Sequence, residues 1–454
     1  MGNILSKIID FVGFEHVRTK QIVKHIGWAF IFKIGTIISN FLLVPLTINY
    51  LDTENYGVWL TLSSFIMWFS IFDIGLGHGL RNKFAEAKAK ENYQDAQALV
   101  STAYYTIACI SICMMVIFFV VNNYIKWSTV FNTSVELDKT LDILLPVVFV
   151  FFAIQLIVKL ITTIYQANQN HSIDNKIQFF TQILSLFAIW ILTKSNESSL
   201  LIFGSIFSAI PVIILIVLNT YAFNSEFKNF KPRFRLASKK YLKDITGIGF
   251  NFFIVQIAAL VLFSTDNFII TNLFSPEEVV PYNIAYKYFS ILLMVFAIVT
   301  TPYWSSFTDA FARKDTNWIE NSVKTLMKIW LFVPIGLGLM LFLSDWFYEL
   351  WVGDKIIIPL QLSLAMALFV AIMTFNMIYV NFINGVGKIR LQLYTSVLTM
   401  FLNIPLSMFF GRYLEWGTTG VILATCFCLG YTLPLWPMQY KKIINGTAVG
   451  VWNK

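Results

Sequence analysis

The chain has 454 residues, of which 57% are hydrophobic and only 13% charged, with a mean hydropathy of +0.68. Too few polar residues are present to cover a soluble core, so the composition excludes an ordinary globular enzyme and points to an all-α polytopic membrane protein. The net charge of +8 would suit a nucleic-acid binder, but the basic residues sort by loop, as below, and no nucleic-acid partner is expected.

Residues 1–26, "MGNILSKIIDFVGFEHVRTKQIVKHI", are amphipathic and broken by charge, and read as a segment lying on the membrane surface rather than a cleaved signal. A window of about 20 residues, the length that crosses hydrocarbon, then gives twelve spans. They are 27–50, 57–80, 98–122, 141–167, 176–193, 199–222, 246–273, 281–304, 323–347, 359–386, 391–411 and 418–440. With both termini on one side, that side collects 25 of the 33 lysines and arginines against 5 on the other, and three lie inside spans. The positive-inside rule places both termini in the cytoplasm of a multi-pass inner (plasma) membrane protein.

The longest basic loop, "SEFKNFKPRFRLASKKYLKD", follows the sixth span. It divides the chain into a six-helix half, 27–224, a basic linker, 225–245, a second half, 246–440, and a cytoplasmic tail, 441–454. The halves resemble each other. "FAEAKAKENYQDAQ" from Phe84 parallels "FTDAFARKDTNWIE" from Phe307, "YLDTENYGVW" from Tyr50 parallels "NLFSPEEVVPYNIA" from Asn272, and "IYQANQN" from Ile164 parallels "FINGVGK" from Phe382. Six spans per half is an even number, so the repeats share one orientation, a transporter architecture with the path at their interface.

Ionisable residues at membrane depth are costly and face protein or water. Lys33 and Asp73 lie at matching depth in the first hairpin; Asp266 and Lys287 match near the opposite face. Each couple reads either as a structural ion pair or as groups that open and close with a transport cycle. Lys159 has no such carboxylate. Gln155, Thr162 and Gln166 stand at minus four, plus three and plus seven from it, a polar stripe at helical spacing. Asn283, Lys287 and Ser290 form a second stripe. Lumen candidates are therefore Lys33, Lys159, Lys287, Gln155, Gln166 and Asn283, with Asp73 and Asp266 as ion-pair or coupling candidates. The structural alternative for Lys159 is a stem that snorkels to the interface. A lumen of lysines and amides suits an anionic substrate that also carries hydroxyl groups.

No cofactor or metal is expected. Cys109, Cys113, Cys426 and Cys428 lie in apolar runs, His78 and His171 lack ligand spacing, and "NGVGKIR" only mimics part of a phosphate loop.

"NYLDTENYGVWLTLSSFIMWFSIFDIGLGHGLRNKFAEA" (Asn49 to Ala87) resembles the start of the polysaccharide, or O-antigen, flippases of the multidrug/oligosaccharidyl-lipid/polysaccharide exporter superfamily. "STDNFIITNLFSPEEVVPYNIAYKY" (Ser264 to Tyr288) is similar to their seventh and eighth helices, and "NFINGVGK" to the end of the tenth. The resemblance implies two six-helix bundles, MATE-like, alternately open to each side. It implies a transporter, not an enzyme, that moves a polyprenyl-diphosphate-linked oligosaccharide from inner to outer leaflet ahead of polymerisation, with polymerase or assembly proteins as partners. It leaves H⁺ and Na⁺ open as coupling ions. A multidrug antiporter of the same superfamily, a lipid II flippase and a membrane polymerase or ligase remain the alternatives; the longest loop on the outer side, about 123–140, is short for the last of these.

Overall fold

A computed structural model describes residues 18–73, 76–168, 173–195, 198–246, 264–354 and 356–453, with 170, 257 and 260 between them. Of the amphipathic segment expected over 1–26, residues 1–17 lie outside the described residues and 18–26 begin the first helix, and nothing is described of the side chains of 18–31 or of Asp73.

The first half consists of α1 (Arg18–Tyr50), α2 (Thr53–Trp68), α3 (Leu76–Ala89), α4 (Tyr93–Asn122), α5 (Asp138–Val158), α6 (Leu160–Ala167), α7 (Ile173–Leu192) and α8 (Leu200–Asn224). The second consists of α9 (Asp266–Leu273), α10 (Val279–Ala312), α11 (Thr316–Trp330), α12 (Phe332–Val352), α13 (Leu360–Val386), α14 (Arg390–Met408), α15 (Gly417–Gly430) and α16 (Thr432–Ile444). Among the described residues, 10 helical segments are long and apolar enough to cross a membrane. The two further spans read from the sequence are the second, which passes through a 3₁₀ turn at Phe69–Asp73 between α2 and α3, and the seventh, most of which is not described. The twelve-span, two-bundle reading of the sequence holds.

The repeat is visible in backbone detail. Glu91 and Lys314 both have positive φ, 55° and 60°, uncommon for residues with a side chain. Each follows a helix and precedes a cap: the Asn92 side chain accepts from Asp95 N, and that of Asp315 from Trp318 N. The turn hydrogen bonds correspond too, Asn92 N to Ala87 O and Asp315 N to Ala310 O. Phe84 and Phe307, which head the two matching segments, are both 0% exposed. Beside the first turn, exposed Glu86 accepts from Lys90 at 2.7 Å and Lys83 at 3.0 Å. These two amines hold its carboxyl down to about 2.

The halves meet along an antiparallel seam between the second and seventh spans. At the end remote from the chain termini, Thr61 and Thr271 hydroxyls lie 2.6 Å apart, and Asn267 Nδ2 donates to Ser64 Oγ at 2.9 Å. Further along, Trp68 Nε1 donates to Ser264 O at 3.2 Å, and Phe268 packs edge-on against the Trp68 ring at 5.0 Å. Glycines seat both ends of the seam. A Cβ on Gly57 would lie 1.9 Å from the Pro276 carbonyl oxygen, and one on Gly79 would lie 2.0 Å from that of Ile245. Gly57 and Gly79, at the two ends of the second span, thus permit backbone-to-backbone approach. On the other flank, α1 joins the second half at Phe41, whose carbonyl accepts from Trp351 Nε1 at 2.7 Å and whose ring stacks on Trp351 at 4.4 Å.

Gly57→Ala is expected to lower the thermal midpoint of the purified protein by several degrees, about 1–3 kcal/mol, because a backbone carbonyl must move. Gly338→Ala, whose added Cβ meets nothing within 4 Å, is expected to leave the midpoint unchanged or slightly raised. Equal behaviour of the two variants would contradict the tight seam.

Candidate functional site

The fourth span runs through α5 and α6 as one path with a local tightening at Lys159, whose backbone stays in the right-handed helical region at φ −65° and ψ −23°. Backbone hydrogen bonds continue through it, Lys159 N to Gln155 O and Thr162 N to Lys159 O, both at 2.9 Å. The Lys159 side chain is exposed and faces a cavity of about 580 Å³. α5 and α6 contribute Gln155, Lys159, Thr162, Thr163 and Gln166 to its wall, and α7 contributes Asp174, Ile177, Gln178 and Thr181. Pro211 and Leu215 of α8 and Gly77 of α3 close it. From Gln155 to Gln166 the wall runs roughly 17 Å along the helix axis.

Among the described residues, two charges line this cavity, Lys159 and Asp174. Gln166 Nε2 donates to Asp174 Oδ2, which fixes both side chains at the end near the termini. Lys159 has no ion-pair partner among the described residues; the four ion pairs are all on exposed helical surfaces. Lys33, on α1, reaches the same wall from behind: its Nζ donates to Gln178 Oε1 at 3.4 Å. The structure therefore brings Lys159, Gln155 and Gln166 to one cavity, with Lys33 joined to it only through Gln178, and among the described residues its lining comes from the first half alone.

The remaining candidates lie elsewhere. Asn283 Nδ2 donates to Asn267 Oδ1 at 2.8 Å and Lys287 Nζ to Tyr56 OH at 3.3 Å, so both sit at the inter-half seam. Asp266 is 6% exposed and accepts from Tyr282 OH at 2.5 Å, while its Oδ1 has no hydrogen-bond partner among the described residues. The expected Asp266–Lys287 pair is not made. Tyr282 and Lys287 are five residues apart on α10, roughly 140° around the axis, and only Tyr282 points at Asp266. The Lys33–Asp73 pair cannot be followed, because the Asp73 side chain lies outside the described residues.

The sequence reading passed over α7. Asp174, Gln178 and Thr181 fall at i, i+4 and i+7 along this helix, the same kind of stripe that marks the fourth span.

Two six-helix bundles with a polar cavity at lipid depth define a multi-pass membrane protein of transporter architecture. A family model described as "Polysaccharide biosynthesis protein" matches residues 22–308, and one described as MatE matches 252–409. The chain belongs to the polysaccharide biosynthesis family, within the superfamily that also holds the MATE exporters. It is 20% identical over 445 residues to a Yersinia pseudotuberculosis protein named for O-antigen export, covering 94% of this chain and 97% of that one. It is 19% identical over 413 residues to a Salmonella typhimurium protein named as an O-antigen transporter, covering 88% and 91%. Among solved structures, an inward-facing multidrug resistance MATE transporter of the MOP superfamily superposes with a TM-score of 0.74 at 12% identity, over 91% of this chain and 96% of that one. The lipid II flippase MurJ, in an inward closed conformation, gives 0.68 at 15% identity, over 91% and 87%.

In a background where the four native cysteines are alanine, Lys159→Cys and Gln178→Cys are expected to react with a charged, membrane-impermeant thiol reagent. Phe187→Cys, on the outward face of α7 with its side chain exposed, is expected to react at least tenfold more slowly. Equal protection of all three would show that the cavity is dry.

Proposed function

We propose that the protein moves a polyprenyl-diphosphate-linked oligosaccharide between leaflets of the plasma membrane by alternating access. The observation that carries this reading is the Lys159 amine, without an ion-pair partner among the described residues, in a cavity lined mainly by amides and hydroxyls whose one described carboxylate, Asp174, is held by Gln166. A diphosphate is anionic and an oligosaccharide is rich in hydroxyls; neither crosses hydrocarbon unaided. Lys159, backed by Lys33 through Gln178, would take the diphosphate, and Gln155, Thr162, Gln166 and Thr181 would exchange hydrogen bonds with the sugar. Translocation makes and breaks no covalent bond, so no nucleophile or metal is required. The names of the O-antigen relatives and the family match support the same substrate class.

The basic asymmetry of the loops places both termini in the cytoplasm, and the halves 27–224 and 246–440 serve as the moving bodies. Lysines 33 and 159 then lie in the cytoplasmic half of the membrane, where the lipid-linked precursor would enter. Asp266 is the carboxylate we assign to coupling. It is buried in the second half and held by one tyrosine hydroxyl, and its other oxygen, with no hydrogen-bond partner among the described residues, would take a proton or Na⁺. Polymerase or assembly proteins on the far side would consume the product.

In a flippase-null strain complemented with the family's surface glycan as readout, Lys159→Ala at normal expression is expected to reduce surface glycan at least tenfold. Lys159→Arg is expected to retain most of it. Full complementation by Lys159→Ala would remove the diphosphate assignment. In proteoliposomes, Asp266→Asn is expected to abolish the response of transport to an imposed H⁺ or Na⁺ gradient; an unchanged response would remove Asp266 from coupling.

A further inference from the structure

The linker between the halves is not a slack tether. It lies against α4, and successive contacts trace a hairpin. Gln97 Nε2 donates to Lys231 O at 2.8 Å, Ser101 Oγ accepts from Arg233 N at 3.0 Å, and the Phe234 ring meets Tyr105 edge-on at 4.7 Å. The chain then returns: Thr102 Oγ1 accepts from Ser238 N at 3.1 Å, and Tyr241 OH donates to Asp95 Oδ1 at 2.5 Å. Phe230, buried against Phe84 and Tyr93, anchors the entry. From Gln97 to Tyr105 the hairpin descends about 12 Å along α4.

Phe234 stands at the tip, 73% exposed, beside a Tyr105 that is itself 42% exposed. Lipid-exposed irregular backbone does not persist within hydrocarbon, so the hairpin marks the polar boundary of the bilayer on this face. The stretch from Tyr105 to Asn122 rises about 26 Å, close to the hydrocarbon thickness of about 30 Å. The aromatic tip therefore reaches the acyl boundary while the strand on either side sits among headgroups. Along it, Lys228, Lys231, Arg233, Arg235, Lys239, Lys240 and Lys243 are all exposed, and none is in an ion pair among the described residues. The nearby acids are few: Glu226 and Asp244 close the two ends, and Asp95 is taken by Tyr241.

We propose that this hairpin is a binding site for anionic phospholipid, with Phe234 inserted at the acyl boundary and Arg233 and Arg235 on the headgroup phosphates. Loop orientation alone requires basic residues on this side of the membrane; it does not require them pinned by side-chain hydrogen bonds around an exposed ring at acyl depth. The site lies on the outer flank of the first half, away from the Lys159 cavity, and stands independently of the transport reading.

The test uses the purified full chain in phosphatidylcholine nanodiscs with increasing phosphatidylglycerol, reading the lipid retained in native mass spectrometry. Wild-type protein is expected to retain phosphatidylglycerol selectively. At about fivefold per basic residue near an anionic surface, Arg233→Gln/Arg235→Gln is expected to weaken that retention by more than tenfold. Lys239→Gln/Lys240→Gln, which leaves every anchoring hydrogen bond in place and removes only the Lys240 amine from over the Tyr241 ring at 5.5 Å, should weaken it severalfold, and Phe234→Ser likewise. Lys324→Gln/Lys328→Gln, an equal charge loss on α11, should change it less than twofold. A parallel arm adds a polyprenyl diphosphate to phosphatidylcholine alone. The proposal is overturned if both hairpin charge variants keep wild-type retention, if the α11 control loses as much, or if the hairpin variants lose only the polyprenyl diphosphate.

Discussion

An amine at lipid depth must be given water or a polar partner, and much of the organisation of the first half follows from that demand at Lys159. The helical hydrogen bonding tightens at this residue, and amide and hydroxyl groups of α5, α6 and α7 line the cavity it faces. α8 closes the space with Pro211 and Leu215. The result is a compartment inside one bundle, wet enough for a charge and walled by helices whose opposite faces carry Phe180, Phe187 and Trp190 outward.

The seam between the halves obeys a different constraint. It is held by many modest polar contacts (Thr61 with Thr271, Ser64 with Asn267, Asn267 with Asn283, Lys287 with Tyr56) distributed over three spans. Neutral hydrogen bonds in membranes are individually weak, of the order of 1 kcal/mol. Such a seam is strong in sum yet can be exchanged contact by contact, which suits the alternating access proposed above. A pair of buried opposite charges would be harder to part. Tyrosine hydroxyls on Asp266 and Lys287 avoid that trap.

Most of the architecture was legible in the chain. Span lengths and loop charges gave the twelve crossings, and the segments headed by Phe84 and Phe307 gave the repeat, down to equivalent turns at Glu91 and Lys314. The polar stripe around Lys159 was legible because helical spacing fixes azimuth within one helix. Pairing across helices was not. Lys287 matches Asp266 in depth, but depth says nothing of the direction in which each side chain points, and Tyr282 occupies the facing position. The stripe on α7 escaped because its polar residues made the fifth span look short rather than lined. Nor could hydropathy show the linker descending along α4, since its basic residues read equally well as a solvated loop.

The account rests on the anionic part of the substrate meeting the amine of residue 159 within the first bundle. Site-specific photocrosslinking in cells that make the lipid-linked glycan tests this most directly. A photoreactive residue at 178, on the cavity wall, is predicted to capture glycan-bearing lipid in a manner that Lys159→Ala abolishes, while the same residue at 187 captures only bulk phospholipid. Capture at 178 that survives loss of the amine, or glycan-lipid captured at 187 alone, would contradict it.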